Sequence, residues 1–415
     1  MTHHHPTRRA LLGAAAATVL LRRNAIAAGA PPLRIGLMMV KSGPLAVVGQ
    51  QMTEGLTTFL KQRNGVIAGR KVDLIAVDTG GSPAGAILKA RELVEREHVD
   101  VIVGPLAAFE ALAIDAYIRQ VGVPILSLAG AENMTQRHPN SWLLRAATTS
   151  AQGPQVMGYY AATVLKLKRV ATIAEDFAFG YENCAGFQRV FEDNGGKVVK
   201  KLWPPLSVAD FTPYIAQIHD IDGVFMGLTG SNPIKFMREY ADLGLKAKVQ
   251  LMGGEAAVDD PLLRHMGDEA LGVLSASSFT SELDTPTAKA LRADLARDFD
   301  DVPGAPAITT YVDGMCIEAA LKATGGRSDD KKAFMAALRA VRLTDTPMGP
   351  IHFDHFGNVV ADVYIRKVEK RDGKLVNVVI KTYPQVSQFW TYDEKKFLAQ
   401  PADSRDYPPL RYAQP

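Results

Sequence analysis

Short apolar runs alternate with longer amphipathic segments along most of the chain. The runs at 33–40, 72–78 and 99–104 have the length of strands, and residues 82–98 carry apolar side chains at helical spacing. Strands that are separated by helices in this way form a parallel sheet that helices cover on both faces. The pattern therefore predicts an α/β fold.

The alternation starts again in the middle of the chain. A second series runs from the strand at 169–176 to the strand at 248–254 and includes a helix over 210–219. Three helical stretches and a β-rich end follow, with Asp372 and Gly373 at a hairpin turn. A chain of 415 residues exceeds the ~250–300 at which single cores split, so two domains are expected.

The first 30 residues have the layout of an export signal. A basic start with Arg8 and Arg9 precedes an apolar run over 10–21, and small residues follow at 25–27. The run is shorter than the ~20 residues of a spanning helix, and the arginine pair resembles a twin-arginine signal. We expect an exported chain whose signal is residues 1–30; an uncleaved membrane anchor is the alternative.

Charge and cysteine content exclude several classes of protein. Residues 1–30 hold four of the 47 Lys and Arg residues and none of the 44 Asp and Glu, which leaves 43 basic against 44 acidic residues. A near-neutral chain lacks the main driving force for binding nucleic acid. The two cysteines, Cys184 and Cys316, lie in separate apolar helical segments, which favours buried unpaired thiols over a disulfide or a metal site.

The sequence lacks the common signatures of catalysis. No G-x-G-x-x-G follows the first strand, and the Walker-A, G-x-S-x-G and H-E-x-x-H patterns are absent. The densest histidine group, at His352 and His355, has no metal-ligand spacing. We therefore predict a binding protein rather than an enzyme, with no cofactor and no metal.

Small and aromatic residues occupy the loops at the carboxyl ends of the predicted strands. Open α/β sheets bind their ligands at these ends, and the first N–H groups of the helix after each loop favour an anion. The loops are 42–46, 104–109, 127–132, 175–181, 228–231 and 253–256.

Five segments in order resemble the leucine/isoleucine/valine-binding family of periplasmic solute-binding proteins. They are IGLMMVKSGPLAVVGQQMTEGL, VDVIVGPLAAFEALAI, EDFAFGYE, LMGGEAAVDDPLLRHMGDEALGVLSASSF and GKLVNVVIKTYP, and the resemblance covers residues 33–384. It implies the type I periplasmic-binding-protein fold, in which two lobes, each a mostly parallel sheet flanked by helices, are joined by three hinge crossings. A small solute is then held between the lobes without being transformed.

The resemblance also implies where the lobes lie along the chain. Lobe I is expected at 33–150 and 282–346, lobe II at 151–281 and 347–384, and a surface tail at 385–415. Crossings are expected near 145–150, 277–282 and 346–350. The implied role is that of a periplasmic receptor, exported by the twin-arginine route, for an ATP-driven (ABC) importer of the branched-chain-amino-acid type. Its partners would be a small carboxylate and the permease subunits in the inner membrane.

Site residues carry over from the resemblance position by position. Segments 107–109 and 129–131 match those that grip an α-carboxylate, but alanines replace the hydroxyl residues usual in amino-acid binders. Glu255 matches the acid that receives a ligand ammonium, although a helix dipole alone would also favour an acid there. The predicted ligand-binding set is Ser42, Leu45, Ala107, Ala108, Phe109, Ser127, Ala129, Gly130, Ala131, Phe177, Phe179, Tyr181, Thr229, Gly254 and Glu255.

Missing hydroxyls and added aromatic residues favour a flatter, more apolar ligand than valine. The segment VEKRDGKLVNVVIKTYPQV resembles the family's receptors for lignin-derived aromatic acids. We expect a hydroxybenzoate or a phenylpropanoid acid, with its carboxylate on backbone N–H groups and a phenolic O–H on Glu255. The alternatives are a receptor for an aliphatic or aromatic amino acid, or a sensory or regulatory subunit of the same fold.

Overall fold

The computed structural model describes residues 31–413. The predicted export segment 1–30 therefore lies outside the described residues.

The described chain forms two sheets. The first contains β1 to β6 in the order β2-β3-β1-β4-β5-β6, and all its pairings are parallel except that of β2 with β3. Its strands are β1 (Leu33–Met39), β2 (Val66–Ile67), β3 (Arg70–Asp78), β4 (Val101–Val103), β5 (Ile125–Leu126) and β6 (Leu143–Leu144).

The second sheet has a parallel centre and an antiparallel flank. Its order is β12-β13-β14-β11-β10-β9-β7-β8, and β15 pairs with β14 beside this path. Its central strands are β7 (Arg169–Ala174), β8 (Lys197–Leu202), β9 (Gly223–Gly227), β10 (Gln250–Gly253) and β11 (Leu274–Ser277). The flank is β12 (Arg342–Leu343), β13 (Ile351–Phe353), β14 (Val359–Arg371) and β15 (Lys374–Val386).

Helices cover both faces of both sheets. Those of the first sheet are α1 (Ala46–Lys61), α2 (Pro83–Arg91), α3 (Ala108–Val121), α9 (Pro286–Phe299), α10 (Ala305–Ala323) and α11 (Lys331–Arg339). Those of the second sheet are α4 (Gln152–Thr163), α5 (Ala178–Asp193), α6 (Thr212–Ile215), α7 (Asn232–Asp242) and α8 (Asp260–Leu263), and α12 (Glu394–Leu398) lies near the C-terminus. We call the first sheet with its helices the first lobe, and strands β7 to β11 with the helices of the second sheet the second lobe; β12 and β13 extend the second sheet but pack against the first lobe's core. This is the two-lobed α/β fold predicted above.

Alternate residues of a strand enter different cores. In β1, Leu37 packs in the core shared with α1 and α10, whereas Met38 packs in the core shared with α2 and α3. The second sheet divides its strands in the same way, with Phe225 on one face and Met226 on the other. Burial on both faces is why these strands are continuous apolar runs in the sequence.

The chain passes from one lobe to the other where neighbouring residues of a strand pack in the cores of different lobes. Along β14, Ala361 lies in the first lobe's core and Val363 in the second lobe's. The predicted lobe boundaries remain predictions, but on this packing we propose that the third crossing lies at 361–363 rather than at 346–350.

Two local features differ from the sequence expectation. The segment 210–219 forms only the single turn α6, because Gln217 and Ile218 donate to carbonyls three residues earlier and Asp220 adopts a φ of 52°. The C-terminal segment is also more than a surface tail. Phe397 is 1% exposed, and the Arg189 guanidinium of α5 pairs with the buried carboxylate of Asp403.

The C-terminal segment is attached to both lobes. In the first lobe, Arg137 donates to the main-chain oxygens of Phe397 (3.1 Å) and Gln400 (2.9 Å). In the second lobe, Gln188 of α5 donates to the main-chain oxygen of Pro409 at 3.0 Å. Residues 387–413 therefore form a strap from one lobe to the other.

Candidate functional site

A cavity of about 150 Å³ lies between the two lobes. The carboxyl ends of β1, β4, β9 and β10 and the helices that follow them supply much of its wall, as expected for an open α/β sheet. The first-lobe wall is mostly apolar, with Leu45, Val48 and Leu128 among its side chains. Both lobes contribute polar side chains, and the acidic ones, Glu255 and Asp259, belong to the second lobe.

Glu255 is fixed in this wall by groups of the second lobe. Its Oε2 accepts from the hydroxyl of Ser277 (2.8 Å) and from both the main-chain N–H and the hydroxyl of Ser278 (2.9 Å each). Within residues 31–413, no group donates to Oε1. The fully buried Arg366 donates to the Glu255 main-chain oxygen at 3.4 Å and so places a positive charge behind it. The carboxylate is thus held by one oxygen and offers the other.

Aromatic rings from both lobes meet at one side of the cavity. Phe177 stacks on Phe179 with ring centroids 5.9 Å apart, and Phe109 of the first lobe meets Phe177 edge-on at 5.5 Å. Phe177 and Phe179 line the cavity. Tyr181 faces elsewhere, because its ring packs edge-on against Trp203 and its hydroxyl donates to Asp176 at 2.6 Å.

The first turn of α3 supplies backbone donors. The N–H of Ala107 is already used, since it donates to the Glu110 carboxylate at 3.0 Å; burial raises the pKa of that carboxyl. The next two N–H groups, of Ala108 and Phe109, have no partner within the helix, as at any helix N-terminus. The aligned peptide dipoles add partial positive charge at this point.

Backbone contacts bring Gly130 to the cavity. Its oxygen accepts from the N–H of Ser150 at 3.1 Å. A Cβ at Gly130 would lie 2.4 Å from the Ser150 hydroxyl oxygen, so only glycine fits this approach. Ser127 is occupied nearby, because its hydroxyl donates to Pro105 O and accepts from the N–H of Ala129.

Several contacts join the lobes directly across the cavity. Both carboxylate oxygens of Asp259 accept from the N–H of Ala305, which opens α10. The N–H of Ser231 donates to Pro44 O at 3.2 Å. Burial raises the pKa of Asp259 to about 7, and the neighbouring Asp260 adds to the rise.

Comparisons with known proteins agree with this architecture. A family model described as periplasmic binding protein matches residues 32–374. The chain belongs to the periplasmic binding protein family. The Leu/Ile/Val-binding protein homolog 6 of Brucella melitensis is 28% identical over 371 residues, which are 86% of this chain and 93% of that protein.

Solved structures of family members superpose closely. An ABC transporter substrate-binding protein from Sphaerobacter thermophilus is 32% identical, with a TM-score of 0.81 over 86% of this chain and 99% of its own. A solute-binding protein from Rhodopseudomonas palustris BisB5, in complex with 3,4-dihydroxybenzoic acid, is 31% identical, with a TM-score of 0.81 over 86% and 98%. One from Rhodopseudomonas palustris HaA2, in complex with p-hydroxybenzoic acid, is 28% identical, with the same TM-score and coverage.

Family membership makes this chain a periplasmic solute-binding protein of the Leu/Ile/Val-binding type that serves an ABC transporter. About half of the predicted ligand-binding set lies on the cavity wall of this family member: Leu45, Ala107, Ala108, Gly130, Phe177, Phe179, Thr229 and Glu255. The other residues of the set do not line the cavity, and their role stays a prediction: they are Ser42, which is exposed, and Phe109, Ser127, Ala129, Ala131, Tyr181 and Gly254.

Sequence reasoning missed part of the cavity wall. Gln51 and Asn183 reach it from the middle turns of helices, where no loop signal marks them. Asp259, Ala305 and Pro306 reach it because distant segments fold against each other. The Gly304-Ala305-Pro306 sequence does have the form of a helix start, which is the one signal that could have drawn attention to it.

Other groups considered in the sequence lie away from the cavity. Cys184 and Cys316 are buried free thiols. His355 pairs with Glu394 at 3.2 Å. Across residues 31–413, no cluster of His, Cys, Asp and Glu has the form of a metal site, and no helix is long and apolar enough to cross a membrane.

Proposed function

We propose that this protein binds a small aromatic carboxylate between its lobes and delivers it unchanged to the permease of an ABC importer. The observation that carries the proposal is the arrangement of Glu255 opposite an apolar wall. One oxygen of this carboxylate is saturated by three internal donors, and the other is free to accept one more hydrogen bond.

A phenolic hydroxyl suits Glu255 better than a charged group does. A carboxylate beside an anionic ligand is costly unless a donor lies between them. Because Ser277 and Ser278 already donate three hydrogen bonds to the Glu255 carboxylate, it does not require a ligand ammonium. A neutral O–H that donates to Oε1 completes its hydrogen bonding.

The ring and the carboxylate of such a ligand have matching surfaces. Phe177 and Phe179 offer an aromatic face for offset or edge-on contact. At the other end, the N–H groups of Ala108 and Gly130 are the backbone donors we assign to the carboxylate, supported by the dipole of α3. The two Rhodopseudomonas palustris relatives, whose crystal structures contain hydroxylated benzoic acids, support the same ligand class.

An amino-acid receptor is the second candidate. It is favoured by the names of the curated relatives, which are Leu/Ile/Val-binding proteins. In that case Glu255 would receive the ligand ammonium. A sensory or regulatory subunit of the same fold would hold the same ligand and would differ only in its partner.

Export completes the proposal. The arginine pair Arg8-Arg9 supports the twin-arginine route, with a mature chain that begins between about Ala28 and Pro31. N-terminal sequencing of the periplasmic form tests this point. Retention of residues 1–20 would contradict cleavage.

Competition in one solution tests the ligand class. The mature protein is incubated with equal amounts of 4-hydroxybenzoate, benzoate, leucine and phenylalanine and is then examined by native mass spectrometry. We expect the complex with 4-hydroxybenzoate to dominate. A dominant leucine complex would favour the second candidate.

A further inference from the structure

Asn183 offers a second hydrogen-bond acceptor on the wall that carries Glu255. Its Nδ2 donates to the main-chain oxygen of Phe179, one turn earlier in α5, at 2.9 Å. This bond fixes the amide group, so its Oδ1 is turned away from the helix. Asn183 is 3% exposed and lines the cavity, and no group in the described chain donates to its Oδ1.

Gly254 brings the two acceptors together. A Cβ at Gly254 would lie 2.7 Å from Asn183 Oδ1, so any side chain there would displace the amide. Glu255 is the next residue, and its Oε1 is the other acceptor without a donor. Because Gly254 has no side chain to displace the amide, Asn183 and Glu255 can both present an acceptor oxygen on the same wall of the cavity.

We propose that Asn183 and Glu255 form a paired-acceptor subsite that selects aromatic acids with two adjacent hydroxyl groups. This inference rests on the function proposed above and adds the residue that separates dihydroxylated from monohydroxylated ligands. No residue is assigned this role by the family resemblance.

The chemistry requires a ligand with two donors at one end. An amide oxygen and a carboxylate oxygen both accept and neither donates, and within the described chain the cavity wall contains no Lys, Arg or His. Two O–H groups on neighbouring ring carbons satisfy both oxygens. A single hydroxyl leaves one buried acceptor unpaired, which is the situation in which binding sites discriminate most strongly.

A matched pair of substitutions isolates the Asn183 oxygen. Asn183→Leu keeps the branched shape of the side chain and removes both its acceptor and its bond to Phe179. Asn194→Leu, at the end of the same helix and away from the cavity, removes an equivalent amide bond to Val190 (2.8 Å). The control therefore reports any general effect of losing such a bond.

Calorimetric titration of both variants and the wild type uses 3,4-dihydroxybenzoate, 4-hydroxybenzoate and benzoate. We expect the wild type to bind the dihydroxylated acid at least about tenfold more tightly than 4-hydroxybenzoate. Asn183→Leu should reduce this preference to less than about threefold, and Asn194→Leu should leave it unchanged. If Asn183→Leu does not fold, Asn183→Ala and the wild-type ligand series answer the same question.

The outcomes separate this inference from the proposed function. Equal affinity of the wild type for the two hydroxylated acids, unchanged by Asn183→Leu, would overturn the paired-acceptor subsite and leave the aromatic-acid receptor intact. Absence of binding by every aromatic acid would overturn the proposed function itself. Leucine binding that is lost in Asn183→Leu would assign the two oxygens to an ammonium and contradict both.

Discussion

Asp259 of the second lobe holds the N–H of Ala305 of the first lobe between its two carboxylate oxygens, each 3.1 Å from the nitrogen. The contact crosses the cleft and involves the first residue of α10. It exists only while the lobes are together, so it stabilises the closed arrangement. Ligand affinity in such a protein depends on these contacts as well as on the cavity wall, because binding is coupled to closure.

Arg264 provides a second contact of this kind. Its guanidinium donates to the main-chain oxygen of Asp300 (2.8 Å) and to the carboxylate of Asp301 (2.9 Å), across the cleft from α8. We expect Arg264→Gln to raise the ligand dissociation rate about two- to fivefold, the scale of a partly exposed ion pair, without changing ligand preference. Stopped-flow measurement of dissociation checks this.

The matched control for Arg264 is Arg297→Gln. Arg297 pairs with Asp294 and Asp298 on its own helix, so its loss should not alter closure. Equal dissociation rates in the wild type and in Arg264→Gln would show that this contact does not contribute to closure.

Asp259 should make affinity depend on pH. Burial in the closed protein raises its pKa to about 7, and opening returns the carboxyl to water and to an ordinary value near ~4. The closed form then binds a proton more tightly than the open form. The resulting stabilisation of the closed form relative to the open form is complete below the ordinary pKa of the Asp259 carboxyl and is lost as the pH rises through about 7.

Titrations between pH 5.5 and 8 measure this coupling. We expect affinity to fall as the pH rises, and Asp259→Asn to make the profile flatter because it cannot ionise. Asp259 would be ruled out as the responsible group if the affinity of the wild type did not change with pH, or if the affinity of Asp259→Asn changed with pH as steeply as that of the wild type.

The buried pair of Arg189 and Asp403 anchors the C-terminal strap. The side chains are 7% and 1% exposed. Asp403→Asn leaves a buried guanidinium without its counter-charge, which costs about 3–5 kcal/mol of the free energy of unfolding. Urea unfolding should show this loss, whereas Asp284→Asn, which removes an exposed partner of Lys289, should change stability by less than about 0.5 kcal/mol. Equal stability of the two variants would show that the pair does not anchor the strap.

Glu255 should contribute to binding only through the free oxygen. We expect Glu255→Ala to weaken binding of 4-hydroxybenzoate by about 1–3 kcal/mol, the scale of a hydrogen bond to a charged group. Benzoate has no hydroxyl, so its affinity should fall less or rise. An equal loss for both acids would mean that Glu255 supports the wall and does not read the hydroxyl.

Sequence reasoning located the strands and the main helices because burial on both sheet faces leaves continuous apolar runs. It failed at 210–219, where Phe211, Ile215 and Ile218 are spaced as in a helix but enter one core from tight turns. It also missed the strap. The strap is held largely by side chains that donate to main-chain oxygens, and such bonds leave no periodic pattern in the sequence.

The candidate site was predictable where loops follow strands and not elsewhere. Glu255, Phe177 and Phe179 follow strand ends, so their positions on the wall could be inferred. The residues beside Asn183 and Asp259 in the sequence are of the kinds that also occur on ordinary helix surfaces, so they give no signal of a binding site. Only the approach of distant segments shows that Asn183 and Asp259 face the cavity.

Calorimetric titration of the mature protein with 4-hydroxybenzoate, benzoate, leucine and phenylalanine tests the proposed function most directly. If the protein is an aromatic-acid receptor, 4-hydroxybenzoate should give measurable heat of binding. Benzoate should bind more weakly because it lacks the donor for Glu255, and leucine should not bind. Tight binding of leucine with no heat from either aromatic acid would contradict it.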